Sequence, residues 1–162
     1  MKRITAERYH DISTGHRVVG HENKCRHLHG HNYRIHFVCE ARPDCEQLDS
    51  IGRVIDFGVI KEKLCMWVEN HWDHKFLAWE EDPVMDWASD AMAAAFYGGK
   101  LAGETEDLFG GSLVFTPFNP TAENMAQHLV EVIGPQQLAG TGVTLVSVRI
   151  EETAKCSASF HA

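Results

Sequence analysis

Residues 25–41 read CRHLHGHNYRIHFVCEA, and this stretch decides the fold. Its second half alternates apolar residues at odd positions with polar residues at even positions, with one exception. The odd, apolar positions are Tyr33, Ile35, Phe37, Cys39 and Ala41. A period of two with one apolar face predicts a half-buried strand. His29 and His31 have the same parity, so both imidazoles should project from the core-facing side at the start of this strand.

Patterns on both sides of this strand predict an α+β domain with the element order ββααββ. The other elements are a strand over residues 3–12, helices over 58–71 and 121–133, and strands over 143–152 and 155–161. Asp56 is a typical N-cap for the first helix, and Gly134-Pro135 is the expected stop for the second. Strands separated by paired helices indicate an antiparallel sheet with both helices on one face.

The stretch from Trp79 to Gly111 fits this pattern least well. It holds an acidic run at 80–82, an alanine-rich piece at 91–95 that predicts a helix, and a glycine-rich exit. A solvated surface excursion is the favoured interpretation. A lid or an oligomer contact is the alternative, because long irregular loops are often functional.

Bulk composition indicates a single soluble domain over residues 1–162. The chain is 44% hydrophobic and 23% charged, as in folded globular proteins. It has no apolar run of the roughly 20 residues that cross a bilayer and no secretion signal at its start. Five scattered cysteines favour a reducing, cytoplasmic compartment. The net charge of −8 argues against a nucleic-acid partner.

The histidines predict a metal site. His29 and His31 need a third ligand, and His16, on an expected turn after the first strand, is the natural candidate. Three nitrogen ligands with an open fourth position are typical of catalytic zinc, whereas structural zinc sites use four ligands and favour cysteine. An isolated His-x-His pair is more often a surface feature, but the parity shared with an apolar face favours a metal site. The other nearby histidines are interpreted as surface residues or supports of the ligands: His21, His27 and His36.

Three roles stay open for Cys25: a fourth zinc ligand, a small buried residue, or a reactive thiol. Lys24 and Arg26 flank it, and neighbouring cations lower the pKa of a thiol. A thiolate beside a metal-bound substrate would serve as a general base.

Two carboxylates are further candidates. Asp73 precedes His74, and an acid beside a histidine can orient its imidazole. Glu152 shares a strand parity with the apolar residues Val146, Val148 and Ile150, while Glu151 faces the other way. A carboxylate on an apolar face is costly unless it is paired. We therefore predict that Glu152 binds something and that Glu151 is solvated.

Six motifs in this order resemble the 6-pyruvoyltetrahydropterin synthase family, including its 6-carboxytetrahydropterin synthase branch in queuosine and 7-deazapurine biosynthesis. The motifs are Gly15-His16-Arg17, Cys25 with His29-Gly30-His31-Asn32-Tyr33, Gly52-Arg53-Val54-Ile55-Asp56-Phe57, Asp73-His74, Asn119-Pro120-Thr121-Ala122-Glu123-Asn124 and Glu152-Thr153. The resemblance runs over nearly the whole chain. Each motif is weak alone, but together they are specific.

The resemblance implies a tunnelling fold, with a four-stranded antiparallel sheet and two helices, assembled as a homo-oligomer that is commonly a hexamer. It implies a small-molecule substrate, 7,8-dihydroneopterin triphosphate, and a Zn²⁺ cofactor. The implied residue roles are zinc ligation by His16, His29 and His31, a catalytic base at Cys25, an acid/base relay at Asp73-His74, and a pterin anchor at Glu152. Thr121 and Glu123 would line the same pocket, although Thr121 is equally explained as a helix cap.

The spacing between Cys25 and His29 favours one branch of the family. Cys25 lies four residues before His29, which resembles the branch that forms 6-carboxytetrahydropterin, acetaldehyde and triphosphate. The first alternative is the pyruvoyl-forming synthase, which eliminates triphosphate and keeps the side chain. The second is a non-catalytic, zinc-stabilised pterin-binding protein, which would need neither Cys25 nor Asp73-His74.

Overall fold

The computed structural model describes residues 3–45, 47–88, 90 and 111–162. The strands in these residues are β1 (Thr5–His16), β2 (His29–Ala41), β3 (Phe76–Trp79), β4 (Leu113–Thr116), β5 (Val143–Thr153) and β6 (Cys156–His161). In the part of the chain that the structure describes, they form one six-stranded sheet in the order β4-β3-β1-β2-β5-β6. The pairs β1-β2, β2-β5 and β5-β6 are antiparallel, and β1-β3 and β3-β4 are parallel.

Two long helical stretches lie between the strands. Helix α1 comprises Phe57–Ile60, the π-helical Lys61–Cys65 and Met66–His71, and helix α2 comprises Ala122–His128, the π-helical Leu129–Ile133 and Gly134–Gln137. The predicted N-cap of α1 is confirmed, because the Asp56 carboxylate accepts a 2.7 Å hydrogen bond from the Gly58 amide. No helix among the described residues is long and apolar enough to cross a membrane.

The apolar face predicted for β2 is confirmed, and most of the other predicted apolar residues join it in one core, although Ile4 and Val132 are exposed. The odd-numbered residues of β2 from Tyr33 onward are buried, and the buried positions of β1 are even-numbered. Both helices turn their apolar stripes to this face of the sheet. Representative core residues are Ile35, Phe37, Leu64, Val68, Met125 and Leu129.

The prediction of a four-stranded antiparallel sheet in the order ββααββ is wrong, because β3 and β4 lie between the helices and add to the sheet in parallel. Each has only four residues. In β3 the two central residues, Leu77 and Ala78, are both buried, so the burial does not alternate. A strand this short shows no period of two from which it could be predicted.

The predicted end of the second helix at Gly134-Pro135 is also wrong, since α2 continues to Gln137. A Cβ atom at Gly134 would lie 2.9 Å from the Leu145 Cβ. The glycine therefore allows close packing of α2 against β5 and does not cap the helix. Pro135 lies in the first turn of the last helical segment, where a missing N–H is tolerated.

The first strand is longer than its apolar pattern, and His16 lies on the strand and not on a turn. β1 pairs with β2 along its full length, from Thr5 opposite Glu40 to His16 opposite His29. The end of β1 is polar and contains Gly15, so its own residues do not reveal a strand. Long-range pairing with β2 stabilises it.

In its described residues, 79–88, 90 and 111, the predicted solvated excursion is only partly exposed. Residues 80 and 81 are not buried, but the Asp82 side chain is completely buried and forms an ion pair with Arg17, with 2.9 Å between Arg17 Nε and Asp82 Oδ2. Residues 83–88 are helical, and Met85 is buried. The predicted helix at 91–95 lies outside the described residues. The excursion therefore begins as an anchored segment, because a buried carboxylate needs a charged partner.

A bulge in β5 corrects the predicted parity of that strand. Ser147 lies opposite Val38 and Leu145 lies opposite Cys39, so Val146 is an extra residue in the pairing. Before the bulge the buried residues are odd-numbered, and after it Val148 and Ile150 are buried. Val146 therefore does not belong to the buried set, whereas residues beyond the bulge keep the predicted parity.

Candidate metal centre and adjoining cavity

Three histidines meet at the ends of the two longest strands. Antiparallel pairing puts His16 directly opposite His29, and His31 projects from the same face two residues further along β2. The ring centroids are 4.5 Å apart for His16 and His29, 5.3 Å for His16 and His31, and 5.0 Å for His29 and His31. One nitrogen of each ring lies within 4.8 Å of the others. This group could hold one metal ion.

Backbone carbonyls fix the orientation of two of these rings. The Nδ1 of His16 lies 2.6 Å from the Pro120 carbonyl oxygen, and the Nδ1 of His29 lies 2.7 Å from the His27 carbonyl oxygen. A carbonyl only accepts, so each Nδ1 carries the proton and each Nε2 keeps its lone pair. This arrangement orients ligating histidines in metal sites and selects the tautomer that binds.

Burial favours the neutral form of His16 and His31. His16 is 1% exposed, and desolvation lowers its pKa although the Pro120 carbonyl opposes the shift. Burial also lowers the pKa of His31. Neutral imidazole is the form that binds metal, so the environment favours ligation at neutral pH. Three imidazole nitrogen donors without a thiolate fit zinc in a site with an open position.

A cavity of about 280 Å³ adjoins the triad and contains most of the predicted site residues. Cys25 enters it from a short 3₁₀ turn at Lys24–Arg26, and the Val18 amide donates a 2.8 Å hydrogen bond to the Cys25 carbonyl. The predicted site residues that line this cavity are His16, Cys25, Thr121, Glu123 and Glu152. Thr121 also caps α2 by accepting a hydrogen bond from the Asn124 amide. Residues far apart in sequence thus share one cavity.

The two neighbouring glutamates lie in different surroundings. The Oε1 of Glu152 is 3.9 Å from the Nε2 of His16 and accepts a 3.4 Å hydrogen bond from the Tyr33 hydroxyl. Glu151 lies 2.9 Å from the Nε2 of His36, away from the triad. Glu151 was predicted to be solvated, but its carboxylate instead contacts basic side chains.

The Asp73-His74 pair exists but lies outside this cavity. The Nδ1 of His74 is 2.6 Å from an Asp73 carboxylate oxygen, and the other oxygen accepts a 2.7 Å hydrogen bond from the Ser13 amide. Partial burial opposes ionisation of Asp73, yet these hydrogen bonds hold its pKa below the usual value. Both residues line a separate cavity of about 610 Å³. His74 also borders a shallow groove together with His31.

Comparison with known proteins agrees with this geometry. Residues 4–162 match the protein family described as 6-pyruvoyl tetrahydropterin synthase. The chain belongs to this family. A curated relative from Rickettsia felis, named 6-carboxy-5,6,7,8-tetrahydropterin synthase, is 31% identical over 153 residues that cover 94% of this chain and 96% of the relative. The chain is therefore a pterin synthase of the lyase type.

Two solved structures have the same fold as this chain. An uncharacterised protein from Wolinella succinogenes has a TM-score of 0.80 and 24% identity, covering 99% of each chain. The 6-pyruvoyl tetrahydropterin synthase of Caenorhabditis elegans has a TM-score of 0.60 and 21% identity, covering 100% of this chain and 97% of that one. At these identities the likeness concerns the fold alone.

Two supports of the synthase site were missed by reasoning from sequence. The Tyr33 hydroxyl lies 3.0 Å from the Nε2 of His16 and also contacts Glu152. Burial and the nearby Glu152 carboxylate raise the pKa of Tyr33, so its hydroxyl stays protonated. The available signal was that Tyr33 follows His29 and His31 on the same face of β2. The Pro120 carbonyl has no side-chain signal and could not have been found.

Proposed function

We propose that this chain is a zinc-dependent 6-carboxytetrahydropterin synthase. It would convert 7,8-dihydroneopterin triphosphate and water to 6-carboxy-5,6,7,8-tetrahydropterin, acetaldehyde and triphosphate, a step in queuosine or 7-deazapurine biosynthesis. The observation that carries the proposal is a group of three imidazoles, one of which, His16, lines a cavity together with the Cys25 thiol and the Glu152 carboxylate. The name of the Rickettsia felis relative and the spacing of Cys25 and His29 support the carboxy-forming branch.

Each residue of the cavity has a role that follows from its surroundings. His16, His29 and His31 would hold the zinc, which supplies Lewis-acid chemistry that makes a substrate hydroxyl more acidic. Cys25, as a thiolate, would accept the proton. Glu152 would hold the amidine-like edge of the pterin ring through charge-assisted hydrogen bonds. Thr121 and Glu123 would complete the wall of the pterin pocket.

A further proposal concerns the Asp73-His74 relay. Asp73 and His74 do not line the cavity of Cys25, so we propose that they act from the groove that His74 shares with His31. Their carboxylate–imidazole contact would keep the ring oriented for proton transfer.

We further propose a cytoplasmic, single-domain protein that assembles as a homo-oligomer, a hexamer. Family resemblance supports this assembly.

Product analysis tests the proposed reaction. Zinc-loaded protein incubated with 7,8-dihydroneopterin triphosphate should release acetaldehyde, detected with a coupled dehydrogenase, and a pterin whose mass corresponds to one remaining side-chain carbon. The same protein stripped of zinc is the control. A pterin that keeps all three side-chain carbons, without aldehyde, would assign the pyruvoyl-forming reaction. Binding without any product would instead indicate a pterin-binding protein.

Substitution of the two glutamates tests the pterin anchor. Glu152→Gln should weaken pterin binding by about 2 kcal/mol or more, because it removes a charged partner from a partly buried pocket. Glu151→Gln should leave binding close to wild type, because Glu151 pairs with His36 and Arg149. Calorimetric titration with a pterin product measures both. Equal losses in the two variants would show that the assignment of the anchor is wrong.

A further inference from the structure

The Asn119 side chain pairs with the backbone of a loop that is remote in sequence. Its Oδ1 accepts a 3.0 Å hydrogen bond from the Val19 amide, and its Nδ2 donates a 2.9 Å hydrogen bond to the Val19 carbonyl. An amide side chain carries a donor and an acceptor in one plane, so it can satisfy both groups of one residue. Asn119 therefore fixes the position of Val19 as a neighbouring strand would.

Both ends of this contact lead directly to the site. The residue after Asn119 is Pro120, whose carbonyl oxygen accepts the 2.6 Å hydrogen bond from the Nδ1 of His16. The residue before Val19 is Val18, whose amide donates a 2.8 Å hydrogen bond to the Cys25 carbonyl. One clamp thus joins the segment that orients a metal ligand to the loop that carries the thiol.

The Asn119 segment is itself held rigidly at the start of α2. The Asn119 carbonyl accepts hydrogen bonds from the Thr121 amide at 2.7 Å and from the Asn124 side chain at 2.9 Å. Because Thr121 lines the cavity with Cys25, the same segment also forms part of the cavity wall. A displacement of residues 119–121 would therefore move the support of His16 and the cavity wall together.

We propose that Asn119 is a positioning residue that couples the orientation of His16 to the placement of Cys25. The inference rests on the proposed function, in which His16 binds zinc and Cys25 accepts a proton. Asn119 touches neither the metal ligands' nitrogens nor the thiol and acts through Pro120 and Val19. Without its side chain, the two partly buried polar groups of Val19 lose their partners, and the loop from 17 to 25 loses its register against α2.

Zinc affinity is the first test. In competition with a chromophoric chelator, Asn119→Ala should bind zinc about 10-fold more weakly than wild type, as is typical when a group that supports a metal ligand is removed. Gln127→Ala is the control, because it removes one exposed side-chain hydrogen bond, to Glu131, within α2. Wild-type zinc affinity in a folded Asn119→Ala protein would overturn the proposal.

Thiol reactivity is the second test and separates positioning from general loosening. At saturating zinc, iodoacetamide should alkylate Cys25 several-fold faster in Asn119→Ala than in wild type, as measured by peptide mass spectrometry. Cys156 is the internal reference, because it lines the same cavity but lies on the β6 side. An unchanged ratio of Cys25 to Cys156 alkylation, including an equal rise at both, would overturn the coupling.

Asn119→Asp keeps the test decisive if the alanine variant does not fold. Aspartate preserves the size and the acceptor for the Val19 amide but replaces the donor to the Val19 carbonyl. It should show both effects, because a carboxylate oxygen cannot donate to the Val19 carbonyl, and wild-type behaviour in both assays would again overturn the proposal. Neither readout uses the pterin. A wild-type protein that binds zinc without forming product would sink the proposed reaction while leaving the role of Asn119 open to this measurement.

Discussion

His29→Ala protein should retain far less than one zinc per chain. His29 is one of three imidazoles whose nitrogens lie within 4.8 Å of one another, and its Nδ1 is already bound to the His27 carbonyl. Its Nε2 is therefore the atom directed to the metal. Loss of a direct ligand should weaken zinc binding by more than the roughly 10- to 100-fold typical of an outer hydrogen-bond partner. Elemental analysis after gel filtration measures the bound metal.

His27→Ala is the matched control for this experiment. His27 also belongs to the histidine-rich stretch, but the site uses only its backbone carbonyl, which alanine retains. The variant should hold zinc like wild type, and turnover should follow the zinc content in both proteins. Full zinc occupancy in His29→Ala would contradict the assignment of the ligands.

Cys25→Ala should keep its zinc and its fold while turnover falls about 100- to 10,000-fold, the range for loss of a general acid or base. The group of potential metal ligands comprises the three histidines and does not include Cys25. Cys25 instead lines the adjoining cavity with Glu152, where a thiolate could reach a bound substrate. Steady-state kinetics and elemental analysis on the same preparation measure the two quantities.

Cys45→Ala controls for the loss of a thiol elsewhere. Cys45 lies beside Asp44 in the turn after β2 and does not line the cavity. Its replacement should change the stability by no more than about 0.5 kcal/mol, as is usual for a surface substitution, and should leave turnover within about twofold. If Cys25→Ala protein lost its zinc, Cys25 would be a metal ligand and the proposed base would be wrong.

Local patterns were sufficient for the central elements of the fold. The alternation along β2 predicts its buried face because side chains of a strand project to opposite sides in turn. The caps and apolar stripes predict the starts of both helices. These features depend on residues close in sequence. Local patterns did not predict β3 and β4, because these strands are too short to show a period. They also did not predict the role of Gly134, because that role comes from its contact with Leu145.

The chemistry of the site was predictable only in part. His29 and His31 share a strand with an apolar face, so their common direction follows from periodicity alone. The approach of His16 to His29 and His31 depends on the pairing of β1 with β2. His16 was expected on a turn, but it lies on a strand. Tyr33 and the Pro120 carbonyl were missed because their roles arise from contacts across 17 and 104 residues of sequence.

The sequence by itself determined the donor types of this protein: three imidazoles, one thiol and one carboxylate. For His29, His31 and Glu152 it also determined the strand face from which they project. Only the tertiary structure decided which of them meet. Antiparallel pairing brings His16 opposite His29, and the Asn119 segment brings the Pro120 carbonyl at the start of α2 to His16. The physical reason is that side-chain direction is a local property of the backbone, whereas proximity depends on packing between distant segments.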